Sequence, residues 1–155
     1  TDKDYFKRIE ANEFAVNYDD GKDPSGFTKA DIVLLGVSRT SKTPLSLYLA
    51  NLGYKVANLP LVPHTKIPDE LFKVDKNKIF GLTNDPEILN DIRKQRMIAY
   101  GLDPNTQYSD LGNIESELSA ANELYRKLGC LVINVAHKSI EETATLIIES
   151  LPEQK

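Results

Sequence analysis

The chain has 155 residues, enough for one domain with a single sizeable core, and 41% of them are apolar, as in ordinary globular proteins. Its 19 basic and 23 acidic side chains leave a formal charge of -4, which argues against a general nucleic-acid binder, since that function wants a basic face. No apolar run approaches the roughly 18 residues of a membrane span, and no signal peptide is visible. The single cysteine, Cys130, excludes an intrachain disulfide and a Cys-rich zinc site. In its setting Gly129-Cys130-Leu131-Val132 it reads as a small buried apolar residue. The expected location is the cytoplasm.

In chain order, residues 5–16 predict an amphipathic helix, with Phe6, Ile9 and Val16 near one stripe and charges between them. Residues 19–26 are polar and turn-rich and read as a loop or linker. Ile32-Val33-Leu34-Leu35, ending at Gly36, predicts a buried parallel strand. Residues 44–52 are apolar at helical spacing and stop at Gly53, a C-cap residue. Strands are predicted over 55–62 and 78–83. Asp85-Pro86 then has the N-cap and first-turn chemistry of a helix that runs to about Tyr100 and ends at Gly101. Residues 102–112 are turn-rich. A helix follows from about Ile114 to Leu128, closed by Gly129, then a fourth strand over 131–135. Ser139 and Glu142 have capping-box spacing at the start of a last helix, which runs to Leu151 before Pro152. Strands alternating with helices predict an α/β fold, a P-loop-type parallel sheet with helices on both faces.

A buried strand, a turn and a helix form the place where an α/β protein binds phosphate. The N–H groups of the turn and the helix N-terminus point at the anion, and the helix dipole favours negative charge. Here Gly36-Val37-Ser38-Arg39-Thr40-Ser41-Lys42-Thr43 nearly fits G-x-x-x-x-G-K-[ST]. Lys42 would reach a terminal phosphate, the Thr43 hydroxyl would ligate Mg²⁺, and Arg39 adds a second cation for the transferring phosphoryl group. Ser41 replaces the second glycine, which normally lets the backbone approach phosphate without a Cβ. Three polar side chains beside Lys42 in one turn suit an anion site better than a bare connection.

The run 36–46, Gly36-Val37-Ser38-Arg39-Thr40-Ser41-Lys42-Thr43-Pro44-Leu45-Ser46, resembles the nucleotide loop of the pyruvate, phosphate dikinase regulatory proteins and their phosphoenolpyruvate synthase relatives, in which Ser at position 41 is usual. Residues 13–24, 53–63 and 139–144 agree with the same family, and the resemblance covers essentially all of the chain. Members are longer, so residues 1–26 are expected to be a helix and linker leading from an N-terminal domain, and 27–155 the nucleotide-binding phosphotransferase domain. The resemblance implies a bifunctional activity. The β-phosphate of ADP passes to a threonine of the dikinase, leaving AMP, and inorganic phosphate removes it again with release of pyrophosphate. It also implies that residues 36–43 hold ADP, that pyruvate, phosphate dikinase or phosphoenolpyruvate synthase is the partner, and that the protein is a homodimer.

A P-loop enzyme usually wants a further carboxylate near Mg²⁺, at the end of a neighbouring apolar strand. The strand read for that purpose, Leu131-Val132-Ile133, ends in Asn134, where the family commonly carries Asp, and Asn brings no charge. For a base to accept the threonine proton, Asp19 and Asp20 are the best carboxylates on a loop, with Asp19 taken as the candidate. His64 and His137 follow strands two and four and are alternatives, although a surface place is the default for each. Glu141 and Glu142 read as helix caps. Arg93 and Arg96, one turn apart, read as a solvated face, with phosphate contact as the sharper alternative. Two rival functions stay open: a small-molecule kinase using ATP, and a nucleotide-binding regulatory module without catalysis. A GTPase is disfavoured by the lack of an Asn-Lys-x-Asp motif.

Overall fold

The structure is a computed structural model and describes residues 2–17, 26–37, 39–62 and 67–151. Four strands, β1 (Ile32–Gly36), β2 (Val56–Pro60), β3 (Ile79–Thr83) and β4 (Leu131–Asn134), form one parallel sheet in the order β2-β1-β3-β4. Ile32, Val33, Leu34 and Leu35 are all fully buried, as the continuous apolar run requires of a central strand covered on both faces.

Alternation along β1 divides the core. Val33 and Leu35 point to the face covered by α2 (Gly26–Lys29), α4 (Pro86–Ala99) and α5 (Leu111–Leu128), where they meet Phe27, Leu89, Ile114 and Leu118. Ile32 and Leu34 point to the other face, against Leu45 and Leu49 of α3 (Lys42–Asn51) and Ile147 of α6 (Ile140–Ser150). The expected α/β architecture, a parallel sheet between helices, is therefore present.

Helix α1 (Asp2–Asn17) packs differently from its apolar stripe. Ala11 and Ala15 are buried against Ala50 of α3, whereas Phe6 is 64% exposed and Ile9 38%. Small residues let the two helices approach closely, so the large ones are left outside. Asn12 Nδ2 donates to Asn51 Oδ1 at 3.2 Å and Lys55 pairs with Glu10 at 2.7 Å, fixing the helix beside β2. The turn-rich 102–112 segment also ends earlier than expected, because Asp110 accepts from Asn113 N and starts α5 at Leu111.

The order β2-β1-β3 creates a switch point. From the carboxyl end of β1 the chain turns through α3 to β2 on one side. From the carboxyl end of β3 it turns through α4 toward β4 on the other. The connections diverge between the ends of β1 and β3, and such a crevice is where open α/β sheets bind ligands.

Candidate nucleotide-phosphate site

The predicted loop leaves β1 at this switch point. Gly36 is held from both sides: its carbonyl accepts from Leu61 N at 2.8 Å, and a Cβ there would lie 2.5 Å from Thr40 Oγ1 and 3.3 Å from Leu82 O. Only glycine fits between the turn and β3. Arg39 and Ser41 follow with φ of 70° and 67°, left-handed conformations that L side chains rarely adopt. They curl the chain into a compact turn that feeds the first residues of α3. Ser38 lies outside the described residues.

Two buried side chains brace the turn from inside. Thr40 is fully buried, and its hydroxyl donates to Val37 O at 2.8 Å. Lys42 is 9% exposed, and its ammonium donates to Val37 O at 2.8 Å and reaches Thr40 Oγ1 at 3.4 Å. A buried ammonium is costly unless its donors are engaged, and here backbone and hydroxyl oxygens engage it. Thr40 thus offers a ligand its backbone rather than its hydroxyl. Arg39, Ser41 and Thr43 are exposed around this nucleus. Ser41 occupies the N-cap position without a side-chain cap, and the first turn of α3 holds no acidic residue, whereas α4 and α6 carry Glu87 and Glu141-Glu142 there. The positive end of α3, Lys42 and Arg39 therefore share one turn that no carboxylate of that helix neutralises. Below it, Ser46 Oγ donates to Thr43 O at 2.9 Å and receives Asn58 Nδ2 at 3.2 Å, which ties α3 to β2.

The other sequence candidates distribute as follows. Asp19, Asp20 and His64 lie outside the described residues. His137 is exposed, with φ of 59°, in the turn after β4. Ser139 caps α6 by accepting from Glu142 N at 3.1 Å, as its spacing predicts. Cys130 is half-buried, and burial pushes its thiol up from the ordinary value. Arg93 is neither a solvated nor a phosphate-facing residue: it is fully buried, pairs with Glu117 at 2.6 Å, donates to Tyr108 O at 3.0 Å and stacks its guanidinium 4.7 Å from the Tyr108 ring centre. It ties α4 to α5 and to the segment between them. Arg96 stacks on Tyr100 at 4.9 Å instead.

Asn134 has a role that its residue type did not disclose. Its Nδ2 donates at 3.0 Å to Asp85 Oδ1, and Asp85 follows β3, the strand beside β1. Asp85 sits at the N-cap of α4 but makes no capping bond with its side chain. Its N-cap place is legible in the sequence, whereas its bond to Asn134 is not, because strand order is a tertiary fact. A hollow of about 500 Å³, lined by residues including Asn122, Arg126, Cys130 and Val132, opens at the amino end of β4, the opposite edge of the sheet from the loop.

The chain is similar to known proteins along nearly its whole length. A family model described as kinase/pyrophosphorylase matches residues 1–148. A Ligilactobacillus salivarius protein bearing the name pyruvate, phosphate dikinase regulatory protein is 79% identical over 148 residues, 96% of this chain and 55% of its own length. Proteins with the same name from Pediococcus pentosaceus and Lactiplantibacillus plantarum are 73% and 72% identical over 147 residues, 95% of this chain and 55% and 54% of theirs. The chain spans about half the length of the curated relatives it matches.

Proposed function

The chain belongs to the kinase/pyrophosphorylase family, and we propose that it carries the nucleotide-binding part of an ADP-dependent protein kinase and phosphorylase acting on pyruvate, phosphate dikinase. Residues 36–43 hold ADP, with backbone N–H groups and the α3 N-terminus around the phosphates. In the forward direction the threonine oxygen of the target bonds to the β-phosphorus, the bond from that phosphorus to the bridging oxygen breaks, and AMP leaves. Asp19 is assigned as acceptor of the threonine proton. In the reverse direction an oxygen of inorganic phosphate attacks the phosphothreonine phosphorus, and pyrophosphate leaves with threonine restored.

Such chemistry needs positioning and charge stabilisation more than covalent help. Lys42 supports the reading most directly. Its ammonium is held on loop oxygens at the mouth of α3, one exchange of partners away from a phosphate oxygen. Arg39, exposed beside it, neutralises the second anion of the reverse reaction. Mg²⁺ fits the donor set. Among the described residues no group of three His, Cys, Asp or Glu side chains converges. Mg²⁺ needs only one or two protein oxygens plus waters and substrate phosphates. The Thr43 hydroxyl at the start of α3 is one such oxygen; when bound, the ion neutralises charge on the transferring phosphoryl group.

The relatives' name makes the dikinase the first target to offer. The full polypeptide carrying these residues is expected to transfer label from [β-³²P]ADP to a dikinase threonine, and added phosphate to release labelled pyrophosphate. Phosphoenolpyruvate synthase, tested in parallel, is the alternative acceptor. Transfer from ATP to a metabolite alone sinks the reading. Binding of ADP without transfer to either protein leaves a regulatory module. Calorimetry with Lys42→Ala tests the loop: ADP binding is expected to drop at least about tenfold, as loss of one charge-assisted contact predicts.

A further inference from the structure

The phosphate loop accounts for cations and backbone donors but brings no carboxylate, and the strand end from which one was expected, β4, carries Asn134. The sheet order resolves this. β4 is not beside β1; β3 is, with Leu35 opposite Gly81, so the carboxyl end of β3 adjoins the loop at the switch point. Leu82 O already lies 3.3 Å from where a Gly36 Cβ would be. Two residues beyond the end of β3 stands Asp85.

Resting on the nucleotide reading above, we propose that Asp85 is the carboxylate through which this site holds a divalent cation bound to the nucleotide, and that Asn134 is the residue that orients it. Three observations support this. Asp85 is exposed at the carboxyl edge of the sheet, and its side chain leaves its own helix uncapped. One oxygen, Oδ1, is fixed by the Asn134 amide, and that amide group is itself fixed because Asn134 Oδ1 accepts from Ala136 N at 2.8 Å. The chain Ala136 N–Asn134–Asp85 is an orienting relay of the kind that accompanies metal carboxylates. Its backbone is also anchored: Val135 N donates to Thr83 O at 2.8 Å, holding the ends of β3 and β4 together, and Lys138 Nζ caps Asn134 O at 2.8 Å. A single carboxylate also matches the sparse protein coordination that Mg²⁺ takes beside phosphates.

The test uses the full polypeptide, with Mn²⁺ as the probe ion. ADP binding is measured by calorimetry in chelator, and Mn²⁺ binding in the presence of ADP by electron paramagnetic resonance of the free ion. In Asp85→Asn, ADP binding without metal is expected to persist and Mn²⁺ affinity to fall about tenfold or more. Asn134→Ala, which keeps the carboxylate but frees it, is expected to weaken Mn²⁺ by a smaller factor. Asp91→Asn, on the exposed side of α4, controls for net charge and should leave Mn²⁺ affinity unchanged. Unchanged Mn²⁺ affinity in Asp85→Asn, with ADP still bound, overturns this proposal and spares the nucleotide reading. Absence of ADP binding in the unsubstituted protein overturns both.

Discussion

At the scale of single residues, the loop keeps two side chains in a backbone region that disfavours them. Arg39 and Ser41 have φ of 70° and 67°. An L residue there costs about 1–2 kcal/mol relative to glycine, so the loop carries local strain. Ser41→Gly is therefore expected to stabilise the protein by about 1 kcal/mol, offset in part by the greater freedom of glycine in the unfolded chain. Urea titration reads it; a destabilised variant would mean that the Ser41 hydroxyl holds the turn. Arg93 presents the opposite case. Its charge is buried on Glu117, whose side chain is 15% exposed, so truncation strands a carboxylate. Arg93→Ala is expected to cost about 3 kcal/mol, near the lower end for breaking a buried pair because Glu117 retains some water. A loss below about 1 kcal/mol would contradict that account.

At the scale of elements, most of the fold was legible because each strand is an apolar run bounded by turn chemistry. The glycines after α3, α4 and α5 all take positive φ, as the helix-stop reading requires. The setting of the candidate loop was legible for the same reason, since strand, turn and helix are contiguous in sequence. Three things were not legible. The alanine seam of α1 was hidden because close helix approach inverts the usual meaning of an apolar stripe. Arg93 looked solvated because its partner is 24 residues away. Asp85 does stand at the N-cap of α4, but its bond to Asn134 was hidden because strand order is a tertiary fact. A fourth feature links β1, β3 and α5: the Tyr125 ring lies over Gly81, where a Cβ would come within 2.7 Å of it, and its hydroxyl donates to Leu82 O at 2.9 Å and lies 3.2 Å from Leu35 O. The tyrosine thus fills the splay between two strand ends directly beneath the loop that follows β1. Gly81→Ala forces an overpacked ring and is expected to cost about 1–3 kcal/mol by urea unfolding. An unchanged midpoint would mean that α5 shifts without resistance.

At the scale of the whole molecule, the same tyrosine ties stability to pH. Burial pushes its hydroxyl well above its ordinary value near 10, and a nearby Cys130 thiolate would push it further. Burial pushes Cys130 up as well, although backbone donors oppose that shift. Both groups then keep their protons in the folded chain at pH values where the unfolded chain has released them. The native state binds more protons, so stability falls as pH rises, beginning near 8.5 for Cys130 and near 10 for Tyr125, the unfolded values. The Lys55–Glu10 pair acts in the same direction, since the hydrogen bond to Glu10 raises the lysine, but it sits at the surface and contributes little. Tyr125→Phe separates the terms. Below pH 9 it leaves the Leu82 carbonyl without its Tyr125 donor and should cost about 1–3 kcal/mol. Above pH 10 the variant no longer has a proton to lose there, so the gap to the parent should close by up to about 1.4 kcal/mol per pH unit. Unfolding free energies at pH 8, 9, 10 and 11 measure this convergence. Parallel curves across that range would mean that the Tyr125 hydroxyl titrates in the folded protein as it does in the unfolded chain, and that the junction of β1, β3 and α5 is open to water.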